Sequence, residues 1–109
     1  LKLRDPKSYY YILEYEGKPV AQIRFQLSEE EVVLSYLASR EIRSRGFGSS
    51  ILARGIEEFV KEYKTKIKIA GYVKKNNLAS QHSFEKLSFY KEEADQYPES
   101  FKYTMIYEN

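Results

Sequence analysis

Across Ser39 to Gly48 the hydrophobic period of this chain switches from two to 3.6, so a strand there gives way through a loop to a helix. Upstream, Val20-Ala21-Gln22-Ile23-Arg24-Phe25-Gln26-Leu27 alternates apolar and polar residues, as a half-buried strand does. Val32-Val33-Leu34-Ser35-Tyr36-Leu37-Ala38 is more continuously apolar and belongs nearer the middle of a sheet. From about Ser49 to Tyr63, Ile51, Leu52, Ile56, Phe59, Val60 and Tyr63 share one helical face, with Arg54, Glu57, Glu58 and Lys61 opposite. Ile67 to Val73 returns to strand. A strand–helix–strand unit of this kind predicts a right-handed crossover between two parallel strands.

The flanks are antiparallel in character. Tyr9 to Tyr15 is aromatic and β-branched, and the Glu16-Gly17-Lys18-Pro19 turn joins it to Val20–Leu27 as a hairpin. The Tyr9-Tyr10-Tyr11 run reads as alternating core and rim packing. Asn76-Asn77 offers an N-cap for a helix reaching about Leu87. Phe89 to Ala94 and Phe101 to Tyr107 read as the last two strands. Residues 1–8, with Asp5-Pro6, look like a linker or a helix tail. The order is β-β-β-α-β-α-β-β: a mixed α/β (α+β) domain with a mostly antiparallel sheet around one parallel pair.

The chain has 109 residues, enough for one domain, 1–109. It contains no Cys and a single His, which excludes disulfide frameworks, zinc fingers, iron–sulfur clusters and Cys nucleophiles. No apolar run approaches a membrane span, and there is no signal-peptide pattern. A cytoplasmic location is the expectation. Eighteen basic against 16 acidic side chains leave a net charge of +2. Any anion site is therefore local, and Arg40, Arg43 and Arg45 form too short a cluster for a nucleic-acid surface.

The chemistry concentrates in Arg43-Ser44-Arg45-Gly46-Phe47-Gly48-Ser49-Ser50, which follows a strand and opens a helix. Glycines let the backbone turn tightly and bring its N–H groups close to a ligand. The first amides of the helix lack internal partners and sit at the positive end of its dipole, which suits a phosphate. Arg43 and Arg45 add charge-assisted donors. The segment is neither a Walker loop, which needs Gly-Lys-Ser/Thr, nor a dinucleotide fingerprint, whose third glycine is here Ile51.

What remains, Arg-x-x-Gly-x-Gly after a strand, resembles the GNAT N-acetyltransferase superfamily. A second block strengthens the resemblance: Asn77, a small residue three on at Ser80, then Phe84-Glu85-Lys86-Leu87-Ser88-Phe89. The resemblance implies a GNAT-like acyl-CoA N-acyltransferase fold with a V-shaped cleft between its parallel strands. Relative to that family, the first strand and first helices look missing, so the chain reads as a fragment. The pyrophosphate of acetyl-CoA would sit on backbone amides of Arg45, Gly46, Phe47, Gly48 and Ser49, beside Ser44, with Arg43 at the motif's first position. The pantetheine arm would pair with the strand near Tyr36, Leu37 and Ala38. Asn77, Ser80 and Phe84 would complete the cofactor contacts.

The implied reaction is direct attack of a neutral amine on the thioester in a ternary complex, with no metal. Family members commonly use a Tyr as the acid at the position that is Phe84 here, and a phenyl ring donates no proton. Another group or water would serve, or the thiolate would leave unassisted, since a thiol pKa near 8.5 makes that tolerable. Candidates for the base are Glu31, Glu14, His82 or a water relay. Ser88 stands where the family has Gly, which suggests a slightly altered turn. The acceptor would be a small-molecule amine such as an amino sugar on a nucleotide, or a protein N-terminus. A CoA-binding module without turnover is the competing class. A homodimer or a fusion to a larger biosynthetic enzyme would suit the missing segment.

Overall fold

The computed structural model describes residues 8–28, 31–39, 47–63 and 66–107. In chain order these form β1 (Ser8–Tyr15), β2 (Lys18–Leu27), β3 (Val32–Ala38), α1 (Gly48–Glu62), β4 (Ile67–Lys74), α2 (Leu78–Lys86), β5 (Tyr90–Glu93) and β6 (Ser100–Tyr107). Every element expected from the periodicity is present. The first turn is tighter than expected: Tyr15 pairs with Lys18, so the loop is only Glu16 and Gly17, at φ 52° and 79°. Two successive positive φ values match the right-handed twist of the flanking strands, and Gly17 takes its share without steric cost. The linker expected over 1–8 gives way at Ser8, which is buried and already in β1; the rest of it lies outside the described residues.

The sheet runs β1-β2-β3-β4-β6-β5. All neighbours are antiparallel except β3 and β4, which are parallel as the crossover requires. One face of the sheet carries the core. Ala21, Ile23 and Phe25 of β2, Val32 and Leu34 of β3, and Ile67, Ile69 and Val73 of β4 meet Ile51, Leu52, Ile56, Phe59 and Val60 of α1. Phe25 and Phe59 stack at 4.3 Å, and Tyr9 meets Phe59 edge-on at 5.2 Å. Tyr9 and Tyr11 pack on this core while Tyr10 turns out to the rim, the alternation a strand imposes. The opposite face bears Gln22, Arg24, Ser35, Leu37 and Ile106, all exposed. No described helix is long and apolar enough to cross a membrane.

Candidate functional site

The parallel pair is the weakest seam of the sheet. β3 pairs with β2 along its whole length, from Val32↔Leu27 to Ala38↔Ala21. β4 pairs with β6 from Ile67↔Tyr107 to Lys74↔Ser100. Between themselves β3 and β4 share only Val32↔Ile69, Val33↔Ala70 and Leu34↔Gly71. Beyond that rung each strand is held by its outer neighbour alone, and the two part. From Ser35 to Ala38, β3 therefore has no β4 rung opposite it, which leaves backbone groups for an extended ligand to meet. The expected V-shaped cleft is this parting, with its apex at Leu34 and Gly71.

A helix begins at the mouth of each diverging strand. α1 starts at Gly48 after Phe47, with no side-chain cap and no acidic residue in its first turn. α2 starts at Leu78 after Asn77, whose side chain accepts from the Ser80 amide at 3.1 Å, as the sequence predicts. The leading end of α1 lies against the second turn of α2. A Cβ on Gly48 would stand 2.3 Å from Ser83 Oγ and 3.6 Å from the Tyr36 hydroxyl, so a side chain there would wedge α1 from α2.

Tyr36 bridges the cleft. Its hydroxyl shares a hydrogen bond with Ser80 Oγ at 3.1 Å, and its ring lies 6.3 Å from that of Phe84. Phe84 is fully packed at 2% exposure, stacked on Tyr103 at 5.3 Å and edge-on to Phe89 at 5.0 Å. Its ring edge seats on the backbone of β4: a Cβ on Gly71 would fall 2.7 Å from Phe84 Cζ. Gly71 is thus the residue that lets α2 reach the apex. The Tyr103 hydroxyl donates to Glu85 Oε2 at 2.7 Å; burial first, then this carboxylate, push the phenol above the usual tyrosine range.

The candidate bases fall elsewhere. Glu31 precedes β3, at the end away from the mouth, and Lys102 and Lys68 stand 3.1 and 3.9 Å from its carboxylate. It thereby ties the open faces of β3, β4 and β6 together. For Lys102, burial works against the charge, but the hydrogen bond and charge of Glu31, with Tyr72 beside it, outweigh burial and raise the pKa. His82 is exposed on α2, and Glu14 is exposed beside the bulge in the β1–β2 hairpin.

The structure brings Tyr36, Gly48, Ser80 and Phe84 together at the cleft, with Ser49 and Asn77 on the two helix ends. Ala38 is half-buried at the end of β3; Leu37 points to the open face and Phe47 is exposed. Arg43, Ser44, Arg45 and Gly46 lie outside the described residues. Sequence reasoning missed Gly71 and Ser83. A glycine inside a strand is itself a signal of close approach; Ser83 carries none. Among the described residues no cluster of three metal-ligating side chains forms.

This open α+β sheet with one parallel pair among its described strands shares its fold with solved acetyltransferases. The N-acetyltransferase PseH of Campylobacter jejuni, in complex with acetyl coenzyme A, matches with a TM-score of 0.75 at 15% identity, covering 93% of this chain and 69% of that one. RimJ of Mycobacterium smegmatis, in complex with CoA-disulfide, gives 0.74 at 15% identity over 92% and 53%. A variant of the spermidine N-acetyltransferase SpeG from Vibrio cholerae gives 0.75 at 11% identity over 94% and 66%. At these identities the likeness is one of fold, and the chain spans about half to two-thirds of those proteins. No curated protein matches the sequence. The profile of the acetyltransferase (GNAT) family matches residues 1–89, and the chain belongs to that family.

Proposed function

We infer that the chain is an acyl-CoA-dependent N-acetyltransferase that moves an acetyl group from acetyl-CoA to a primary amine by direct attack in a ternary complex. The observation that carries this reading is the end of β3–β4 pairing at Leu34 and Gly71, with both strands still paired outward. That parting fits an extended pantetheine arm along Ser35 to Ala38. We read the diphosphate at the leading end of α1, at Gly48 and Ser49; the further contacts that the resemblance assigns to Arg43, Arg45 and Gly46 lie outside the described residues. Asn77 and Ser80 border the arm from α2. A β3 amide near the apex would polarise the thioester carbonyl, a fixed donor aimed at developing charge. The acceptor we favour is an amino sugar carried on a nucleotide, with a protein N-terminus as the other substrate class.

The second reading, a CoA-binding module without turnover, draws on Phe84 in the acid's place and on the engagement of Glu31 by two lysines. Calorimetry with coenzyme A, followed by thiol release from acetyl-CoA with a panel of amines, separates the two. Binding with release supports the transferase; binding with no release on any amine supports the module; no binding removes both.

A further inference from the structure

The step least provided for at this cleft is protonation of the departing sulfur. Two described tyrosines touch Phe84, and they are not equivalent. Tyr103 is fully buried and its hydroxyl is committed to Glu85. Tyr36 is half-buried, two residues beyond the last β3–β4 rung, on the face of β3 that turns toward α2. Its hydroxyl rests on Ser80 Oγ and lies beside the start of α1, where a Cβ on Gly48 would come within 3.6 Å of it. Ser80 and Phe84 are i and i+4 on one face of α2, so the Tyr36 hydroxyl stands about one helical turn (~5 Å) along α2 from the Phe84 ring.

On the acetyl-CoA reading above, we propose that Tyr36 is the proton donor to the leaving thiolate. The amine lone pair forms the new C–N bond at the thioester carbonyl carbon. The C–S bond breaks, sulfur keeps its electron pair, and the Tyr36 hydroxyl proton passes to it, giving coenzyme A as the thiol. The surplus proton on nitrogen leaves to water. Ser80 Oγ, already hydrogen-bonded to Tyr36, returns a proton from solvent to the phenolate. While the phenolate exists it faces the first turn of α1, the positive end of that helix.

The test is Tyr36→Phe in the intact protein, which keeps the ring contact with Phe84 and removes only the oxygen. With acetyl-CoA and a panel of spermidine, an amino-sugar nucleotide and an alanyl-peptide, kcat should fall about 100-fold, in the range for one general acid, while KM for acetyl-CoA holds. A rise in KM at constant kcat would make Tyr36 a lining residue and overturn the proposal. The second readout needs no acceptor. Coenzyme A bound to the unaltered protein should ionise its thiol at lower pH than on Tyr36→Phe, followed by thiolate ultraviolet absorbance. Coincident titration curves would also overturn it. Coenzyme A binding to neither protein would instead remove the acetyl-CoA reading itself.

Discussion

α1 and α2 leave the same cleft from neighbouring strands, yet their ends are built differently. α2 is closed at both ends by its own chain. Asn77 Oδ1 takes the Ser80 amide at its start. At its finish Ser88 sits at φ 67°, the Ser88 amide bonds Glu85 O at 3.0 Å, and the Phe89 amide bonds Phe84 O at 3.2 Å. That is a Schellman closure, with Phe89 packed back on Phe84. Among the described residues α1 has no such closure at its start: Phe47 offers no side-chain acceptor, and the first turn has no carboxylate. Four unsatisfied amides at a helix start are a standing cost unless solvent or a ligand meets them. The contrast separates an end sealed by neighbouring side-chain and backbone groups, at α2, from the α1 start, which the proposed function assigns to a diphosphate.

The most disruptive way to break this contrast is to cap α1. Phe47 is exposed, so Phe47→Asp removes no core contact. An aspartate there accepts from the first-turn amides and favours the helix dipole, so folding stability should rise by about 0.5–1 kcal/mol. The same carboxylate would repel a diphosphate and occupy its donors, weakening coenzyme A by about 100-fold, the scale of one or two charged hydrogen bonds. Parallel melting and calorimetry check both signs at once. Unchanged affinity would mean the α1 end does not hold the diphosphate.

The next effect concerns how α2 is seated. Gly71→Ala places a methyl 2.7–2.8 Å from the ring edge of Phe84, which is clamped by Tyr103 and Phe89 and cannot swing aside. Overpacking of this kind costs about 2 kcal/mol. Chemical denaturation should show that loss, and Phe84→Leu in the same chain should recover part of it. An unchanged midpoint would mean that α2 rides over β4 with slack.

Uncapping α2 is the mirror image of capping α1. Asn77→Ala should cost about 1 kcal/mol by freeing the Ser80 amide, while Asn77→Asp, which retains the acceptor, should cost little. If both lose equally in a melt, the asparagine acts through something other than its cap.

The elements themselves were written in the sequence because each carries its own period: α1's buried face is the set of apolar residues spaced for it, and Asn77 caps where an asparagine before a helix should. The site was legible only as far as local chemistry reaches. Asn77 announces itself as a cap, and the structure seats it as one. The apex does not announce itself, because it depends on where β3 and β4 stop pairing, and that is set by their separate commitments to β2 and β6. Glu31 illustrates the same limit. At the head of a central strand it reads as a candidate base, but Lys68 and Lys102 reach it from β4 and β6, neighbours that only the sheet order supplies. Tyr36 read as backbone for the cofactor, whereas its hydroxyl meets Ser80 across the cleft. Ser88 suggested an altered turn. The turn instead keeps the left-handed shape that glycine favours, with a serine holding it.

That serine gives the smallest and most specific probe of α2's closure. A non-glycine residue at positive φ pays for its Cβ against the following carbonyl. Ser88→Gly removes that strain but adds freedom to the unfolded chain, so the net gain should be only about 0.5 kcal/mol. The gain belongs to the trailing end of α2 and should leave the leading end of α1 untouched. A small rise in melting temperature with constant coenzyme A affinity is the expected result. A loss of stability would mean that the serine side chain contributes more to the closure than its backbone strain takes away.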